Sequence, residues 1–259
     1  MIILMHSSKT MRVPTSGHRP TGQPALLAQA EELIAYLRTL SVAQLSKIMT
    51  ISAELAEKTK QAYADWSTDP AEQSPAAETF VGDIYSGLQV DTFGAADRAY
   101  ADKHIRMLSG LYGILRPFDG IAPYRLEMGY KLPPGKYSNL YKFWGSTIAE
   151  QLPPTGPIVN LAAGEYAKTV LKYVDPDRVV TPKFLTLDPK SKSPKFIVVH
   201  AKIARGTFAR WLVTQRVKDR GLHEFCEIGY THDKALSSSA EPAFVCQEFG
   251  GKGLSVRLT

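Results

Sequence analysis

The sequence predicts a mixed α/β fold in which one central sheet is flanked by helices. Short apolar runs with strand character alternate with segments of helical spacing in the second half of the chain, as in α/β and α+β proteins. The run MIILM at residues 1–5 has the pattern of a buried strand, and helical spacing dominates residues 26–66. We expect the first strand to join those of the second half, which makes residues 1–259 a single domain with a central mixed sheet.

The first residues of the chain, up to residue 66, are predicted to form one strand, one loop and three helices. After MIILM, the segment HSSKT forms a polar turn at the carboxyl end of the strand. Prolines and glycines recur through residues 11–24 and predict a loop there. Helical spacing then predicts helices over residues 26–40, from the capping box Ser41-x-x-Gln44 onward, and over residues 51–66.

The elements that follow alternate in type. Residues 67–75 form a polar linker, residues 82–93 a compact turn-rich unit, and residues 95–108 a helix. Beyond them, strands are predicted over residues 158–161, 179–185, 195–202 and 243–248, and helices over residues 139–151 and 165–173.

Composition favours a soluble protein. The chain has 259 residues, of which 44% are hydrophobic and 10% aromatic, so it can bury a large core. The longest apolar runs are far shorter than the roughly 18 to 20 residues of a membrane span, and the signal-peptide pattern is not found. We therefore expect a cytoplasmic protein without a membrane partner. The spacing of Cys226 and Cys246 fits reduced thiols, with a redox role as the alternative.

The charge balance suggests attraction to polyanions. Lysine and arginine outnumber the acids 31 to 25, and the isoelectric point is near 9.2. The excess is concentrated between Lys183 and Arg220, a stretch that holds only two aspartates. If residues 202–220 are helical, Lys202, Arg205, Arg216 and Arg220 fall on one cationic stripe. A solvated helix face without a ligand is the alternative.

The stretch HIRMLSGLYGILRPFDGIAPYRLEMG at residues 104–129 combines a glycine turn with three arginines. Gly110 and Gly113 follow a predicted helix, and glycines let backbone N–H groups approach a phosphate. A helix followed by a glycine hairpin is the layout of helix-hairpin-helix DNA-binding modules. A tight structural turn accounts for the same pattern.

Several common chemistries find no support in the sequence. The six histidines and two cysteines show no metal-ligand spacing, so we expect no structural zinc and no direct iron sequestration. Phosphate-loop, dinucleotide-binding and nucleophile-elbow motifs are not found. The sequence therefore names no cofactor.

Polar residues gather at the predicted ends of two strands. His6, Ser7, Ser8 and Lys9 follow the first strand, and Asn160 ends a later one, with Glu165 opening the next helix. If the strands are neighbours, His6, Lys9, Asn160 and Glu165 share a cleft. Lys9 is then a candidate nucleophile or base, and Glu165 a candidate proton carrier. In the alternative, Glu165 caps its helix and Lys9 is solvated.

The chain resembles the YaaA-type peroxide-stress-resistance proteins, and five segments carry the resemblance. They are HIRMLSGLYGILRPFDGIAPYRLEMG at 104–129, GDIYSGLQVDTF at 82–93, NLYKFWG at 139–145, VNLAAGEYAKTV at 159–170 and HAKIARGTFARWLV at 200–213. The resemblance implies a single α/β domain with a basic cleft, a helix-hairpin-helix-like element, DNA binding, and limitation of peroxide damage linked to intracellular iron.

The resemblance also implies site residues. The DNA-facing element would lie around residues 108–116. The candidate nucleic-acid- or anion-binding residues, taken with the charge pattern, are Arg106, Gly110, Gly113, Arg116, Arg125, Lys168, Lys202, Arg205, Arg210 and Arg216, and Lys9 is a further cleft cation.

Two departures from the family pattern fall at the predicted cleft. This chain has HSSKT where the family usually has SPAKT, and Ala163-Gly164 where a serine and an asparagine or aspartate usually precede the EY pair. Two hypotheses follow. One is a DNA-binding peroxide-stress protein; the other is a diverged enzyme acting on a nucleobase, a nucleotide or another small phosphorylated or nitrogenous molecule.

Overall fold

The computed structural model describes residues 1–254, except for the side chains of Asp219 and Arg220. Within that range the strands are β1 (Ile2–His6), β2 (Thr10–Met11), β3 (Ser74–Pro75), β4 (Phe80–Val81), β5 (Ile105–Ser109), β6 (Gly113–Leu115), β7 (Gly120–Ile121), β8 (Ile158–Asn160), β9 (Val179–Val180), β10 (Lys183–Leu187), β11 (Pro194–Lys195), β12 (Tyr230–Asp233) and β13 (Ala243–Cys246). The helices are α1 (Leu27–Leu37), α2 (Val42–Met49), α3 (Ala53–Asp65), α4 (Ala76–Thr79), α5 (Asp83–Leu88), α6 (Ala95–His104), α7 (Leu140–Trp144), α8 (Gly164–Leu171) and α9 (Val198–Thr214). This mixture of sheets and helices confirms the predicted α/β class.

Strand β1 lies at the centre of a five-stranded sheet with the order β6-β5-β1-β8-β9. The strands β5, β1, β8 and β9 run parallel, and β6 closes one edge antiparallel to β5. All five residues of β1 are buried, as expected for a continuous apolar strand in a parallel sheet. The first strand therefore joins a strand of the second half, as predicted, and the carboxyl ends of β1, β5 and β8 meet at one sheet edge.

A second sheet of four strands has the order β11-β10-β13-β12. Its core is aromatic: Phe184 on β10 stacks on Phe244 of β13 with ring centroids 5.5 Å apart, and the edge of Tyr230 meets Phe184. Phe208 of α9 also contacts Phe184 edge to face, so α9 packs on this sheet. Such geometries add to the stabilisation that burial of the rings provides.

Helix α9 also packs against α5 at very short range. A Cβ atom at Gly206 of α9 would lie 1.8 Å from the carbonyl oxygen of Ile84, and one at Gly87 of α5 would lie 2.1 Å from that of Ile203. Only glycine permits this backbone contact. Because α9 packs on the second sheet and α5 lies within residues 82–93, this helix pair joins the second sheet to the predicted turn-rich unit.

The amino-terminal helices agree with the sequence prediction. Ser41 caps α2, because its hydroxyl accepts from the N–H of Gln44 while the Gln44 side chain accepts from the N–H of Ser41. The buried residues of α1 belong to a contiguous hydrophobic core that extends from Ile2 to Phe249. None of the described helices is long and apolar enough to cross a membrane, and both cysteines are free thiols.

Several boundaries differ from the prediction. The helix predicted over residues 139–151 ends at Trp144. Helix α6 ends at His104, because residues 105–108 pair with β1. The predicted strand over residues 195–202 is helical from Val198, since packing against α5 outweighs the β-branched composition of this segment. Helix α9 ends at Thr214, and Arg216 has a left-handed φ of 52°. The predicted stripe from Lys202 to Arg216 is therefore broken, and the side chain of Arg220 lies outside the described residues.

The helix-hairpin-helix-like element predicted around residues 108–116 is wrong. The glycine turn joins two antiparallel strands, β5 and β6, and both of its glycines are buried. A Cβ atom at Gly110 would lie 2.3 Å from the carbonyl oxygen of Leu126, and Gly113 has a φ of 67° beneath the ring of Trp144. These contacts show that the turn serves close packing. Its glycines connect two strands of the sheet rather than two helices.

Candidate functional site

The candidate site lies at the carboxyl edge of the five-stranded sheet. His6 ends β1 there, and Asn160 ends the adjacent strand β8, where it is paired with Leu4. The side-chain oxygen of Asn160 accepts from the N–H of Ala162 at 3.1 Å, and its nitrogen donates to the Thr181 hydroxyl at 3.3 Å. Asn160 thus orders the turn that leads into α8. The two strands are neighbours, which was the condition for the predicted shared cleft.

His6 is held in one tautomer at this edge. Its Nδ1 accepts from the N–H of Ala163 at 3.2 Å, which leaves the proton of the neutral ring on Nε2. The ring stacks on Tyr166 of α8 at 5.2 Å. Burial lowers the pKa of His6 to about 3, and the charges of Arg205 and Lys202 act in the same direction. At neutral pH the imidazole is therefore uncharged and presents an N–H donor.

Lys202 and Arg205 bring positive charge to the same place. They lie three residues apart on α9, hence on one face of the helix, and both interact electrostatically with His6. Burial lowers the pKa of the Arg205 guanidinium, although arginine remains charged at physiological pH. A neutral ring that lies within the electrostatic influence of two cations favours an anionic ligand.

A set of buried hydroxyl groups adjoins His6. The Tyr124 hydroxyl contacts the Ser109 hydroxyl at 2.7 Å, and the Ser7 side chain lowers the pKa of both Tyr124 and Tyr166. Burial raises the pKa of Tyr124 to about 12 and that of Tyr166 further. The phenols therefore stay protonated and can donate to a ligand. The tyrosines and Ser109 were missed in the sequence, although both tyrosines lie within the segments that carry the family resemblance.

The loop that contains Glu127 and Gly129 contacts Lys9 and Glu165, the predicted nucleophile or base and the predicted proton carrier. Lys9 forms an ion pair with Glu127 at 2.7 Å, and Glu165 accepts from the N–H of Gly129 at 2.7 Å. Arg125 donates to the carbonyl of Lys9 at 3.2 Å. Its Nε is buried and makes no hydrogen bond within the described structure. Lys9 and Glu165 are therefore held by this loop rather than paired with each other.

Two predicted cations lie away from the edge, where one contacts backbone carbonyls and the other a carboxylate. Arg106 donates to the carbonyl oxygen of Asp102 at 2.9 Å, and the Arg116 guanidinium lies 3.4 Å from the Asp102 carboxylate. The backbone N–H of Arg116 also donates to Asp119 at 2.7 Å. Burial raises the pKa of Asp119 to about 6, with this hydrogen bond opposing the shift. These groups stabilise the end of the β5–β6 hairpin.

The remaining predicted cations are dispersed. Arg210 pairs with Glu227 at 2.7 Å, and Arg216 pairs with Asp97 at 2.8 Å. Lys168 lies over the ring of Tyr141 at 4.1 Å. The structure thus places only Lys202 and Arg205 of the predicted anion-binding set in electrostatic contact with His6.

Metal ligands do not cluster in the part of the chain that the structure describes. No group of three or more histidine, cysteine, aspartate or glutamate side chains is arranged to hold a metal ion among residues 1–254.

Comparison with known proteins gives consistent matches along the chain. A family model described as peroxide stress protein YaaA matches residues 1–236. A UPF0246 protein of Salinispora tropica is 58% identical over 258 residues, which cover 99% of this chain and 98% of the relative. UPF0246 proteins of Burkholderia lata and Cellvibrio japonicus are each 40% identical, over 93% and 87% of this chain and 96% and 90% of the relatives.

Proposed function

The chain belongs to the peroxide stress protein YaaA family, and on this basis we propose that it binds DNA phosphates through the sheet edge at His6 and limits peroxide damage linked to intracellular iron. The observation that carries the proposal is that Lys202 and Arg205, three residues apart on α9, both act electrostatically on the neutral ring of His6. These residues form the basic cleft of the proposal. The buried glycine turn at residues 110–113 has no part in it.

The proposal is tested by DNA binding at several salt concentrations. Affinity of the wild-type protein for a labelled duplex is expected to fall steeply with salt, because phosphate contacts release counterions. Lys202→Gln with Arg205→Gln should weaken binding and reduce the logarithmic salt slope by about 2, since each phosphate contact contributes roughly 0.9. Lys103→Gln with Lys190→Gln removes the same charge from exposed positions. Equal effects of the two double variants would contradict a localised DNA site.

The cellular part of the proposal has its own readout. A strain that lacks the protein should regain survival in hydrogen peroxide when it expresses the wild type but not when it expresses Lys202→Gln with Arg205→Gln. Survival should depend on added iron or an iron chelator. Full rescue by the double variant would separate the stress function from this site.

A second candidate function is an enzyme that acts on a nucleobase or a nucleotide. The observation that favours it is the buried cluster of Ser7, Tyr124 and Tyr166, in which Tyr166 stacks on His6, because protonated donors of this kind suit the hydrogen-bonding edge of a base. In this role Lys9 and Glu165 have to leave Glu127 and Gly129 before they act.

Chromatographic assay of products from a panel of nucleosides, nucleotides and oligonucleotides tests the enzyme. Turnover of a substrate should be lost in Tyr124→Phe and retained in Tyr36→Phe, whose ring lies outside this cluster. DNA binding without any turnover would leave the first function and refute the second.

A further inference from the structure

A second basic surface lies between α7 and α8, apart from the groups that contact His6. Three exposed lysines line it together with two tyrosines, Tyr141 and Tyr173. The lysines are Lys142, Lys168 and Lys172. No carboxylate is among the residues that line this groove in the described part of the chain, and its cavity volume is about 460 Å³. This volume is within the range of small-molecule sites.

The tyrosine rings restrain two of the lysines. The Lys168 ammonium lies 4.1 Å from the ring centroid of Tyr141, and the Lys172 ammonium lies 5.4 Å from that of Tyr173. Cation–π contacts of this kind hold the ammonium groups without neutralising them. Less side-chain entropy is then lost when an anion binds.

The spacing of the lysines favours a chain of phosphates over a single one. Lys168 lies on α8 and Lys172 is the C-cap residue of that helix, four positions later, which is about 6 Å along the helix axis. Lys142 approaches from α7 on the other side of the groove. Linked phosphates carry more negative charge than a single phosphate, and therefore match three ammonium groups around one groove better.

We propose that the groove of Lys142, Lys168 and Lys172 binds an oligophosphate of two or three linked phosphates, either free or as the tail of a nucleotide. This inference goes beyond the DNA site at His6 and does not depend on it.

Calorimetric titration of the double variant Lys202→Gln with Arg205→Gln tests the groove without interference from the His6 site. Sodium tripolyphosphate, ATP and ADP should bind, AMP should bind at least about tenfold more weakly, and adenosine should not bind measurably. Equal affinities for tripolyphosphate and ATP would indicate that the phosphate chain suffices, while a clear preference for ATP would identify a nucleotide as the source.

Further substitutions in the same background localise the binding. Lys168→Gln with Lys172→Gln should lower the tripolyphosphate affinity at least about tenfold. The matched pair Lys103→Gln with Lys190→Gln should change it little. The proposal is overturned if tripolyphosphate does not bind, if adenosine binds as well as ATP, or if both pairs have the same effect. None of these results bears on DNA binding by the His6 site, which is measured with Lys202 and Arg205 intact.

Discussion

His6 shows how burial and local hydrogen bonds decide the chemistry of a single residue. The backbone N–H of Ala163 occupies its Nδ1, and two cations of α9 oppose its protonation. A histidine in this setting is a neutral hydrogen-bond donor at physiological pH rather than a general base. This state suits the recognition of an anion that Lys202 and Arg205 attract.

The low pKa of His6 makes the stability of the protein depend on pH. The pKa is about 3 in the folded protein, whereas the ordinary value for histidine is 6.5, so the unfolded chain takes up a proton between these values. The contribution of neutral His6 to the free energy of unfolding is therefore fully present above pH 6.5 and is lost as the pH falls toward 3. Between pH 7 and pH 5 we expect His6 to reduce the free energy of unfolding by about 2 kcal/mol.

Urea unfolding of the wild type and of His6→Gln at both pH values measures this contribution. The loss of stability between pH 7 and pH 5 should be smaller in His6→Gln by the same amount, whatever the other groups contribute. An unchanged pH dependence would show that His6 titrates normally in the folded protein.

Among the elements, the β5–β6 hairpin and the loop after it form one packed unit. Trp144 donates its indole N–H to the carbonyl of Gly110 at 3.1 Å, and the Leu126 backbone covers the same glycine. Tyr112 accepts from the indole of Trp66 at 2.8 Å. The hairpin therefore positions the loop that carries Arg125 and Glu127 to the site, although its glycines do not reach a ligand.

Substitution of Gly110 tests this structural role. Gly110→Ala should lower the free energy of unfolding by about 1 to 3 kcal/mol, because the added methyl group forces the Leu126 backbone to move. Gly164→Ala is the control, since a Cβ atom there meets open space at the start of α8. Chemical denaturation measures both. A loss of DNA affinity in folded Gly110→Ala without a loss of stability would restore a DNA-facing role for the turn.

Across the molecule as a whole, α9 lies between the two sheets. It packs against α5 near the first sheet and against β10 of the second, and it also carries Lys202 and Arg205 to His6. The same helix thus completes both the hydrophobic core and the candidate site. We expect the two sheets to unfold together for this reason.

Tryptophan fluorescence tests the expected cooperativity because the three tryptophans report on different regions. Trp66 and Trp144 lie beside the β5–β6 hairpin, while Trp211 packs on Phe208 and Phe225 near the second sheet. In Trp211→Phe, and separately in Trp66→Phe with Trp144→Phe, the fluorescence transition in urea should coincide with the transition in far-UV circular dichroism. Separate transitions in either variant would indicate two units that unfold independently.

Much of the fold could be predicted from local patterns. The capping box at Ser41, the apolar run of β1 and the polar turn after it all lie where the sequence predicts them, because each depends on neighbouring residues. The strand predicted at residues 195–202 failed because the chain from Val198 onward forms the first turns of α9, whose close contact with α5 at Gly206 lies beyond this segment. Propensity gives way to tertiary packing in such segments.

The family and the α/β class could be read from the amino-acid sequence, since short-range patterns specify them. The shared edge of His6 and Asn160 was expected only if their strands were neighbours, and the sheet order of the folded chain decided that. Which cations act together, and which phenols join them, became evident from the folded chain. Arg116, Arg210 and Arg216 form ion pairs elsewhere, and Arg106 donates to backbone carbonyls. Lys202 and Arg205, by contrast, act electrostatically on His6. Local sequence patterns do not predict charge pairing or burial, because both depend on residues far apart in the chain. Examples are the effect of Arg205 on His6 and the ion pair of Lys9 with Glu127.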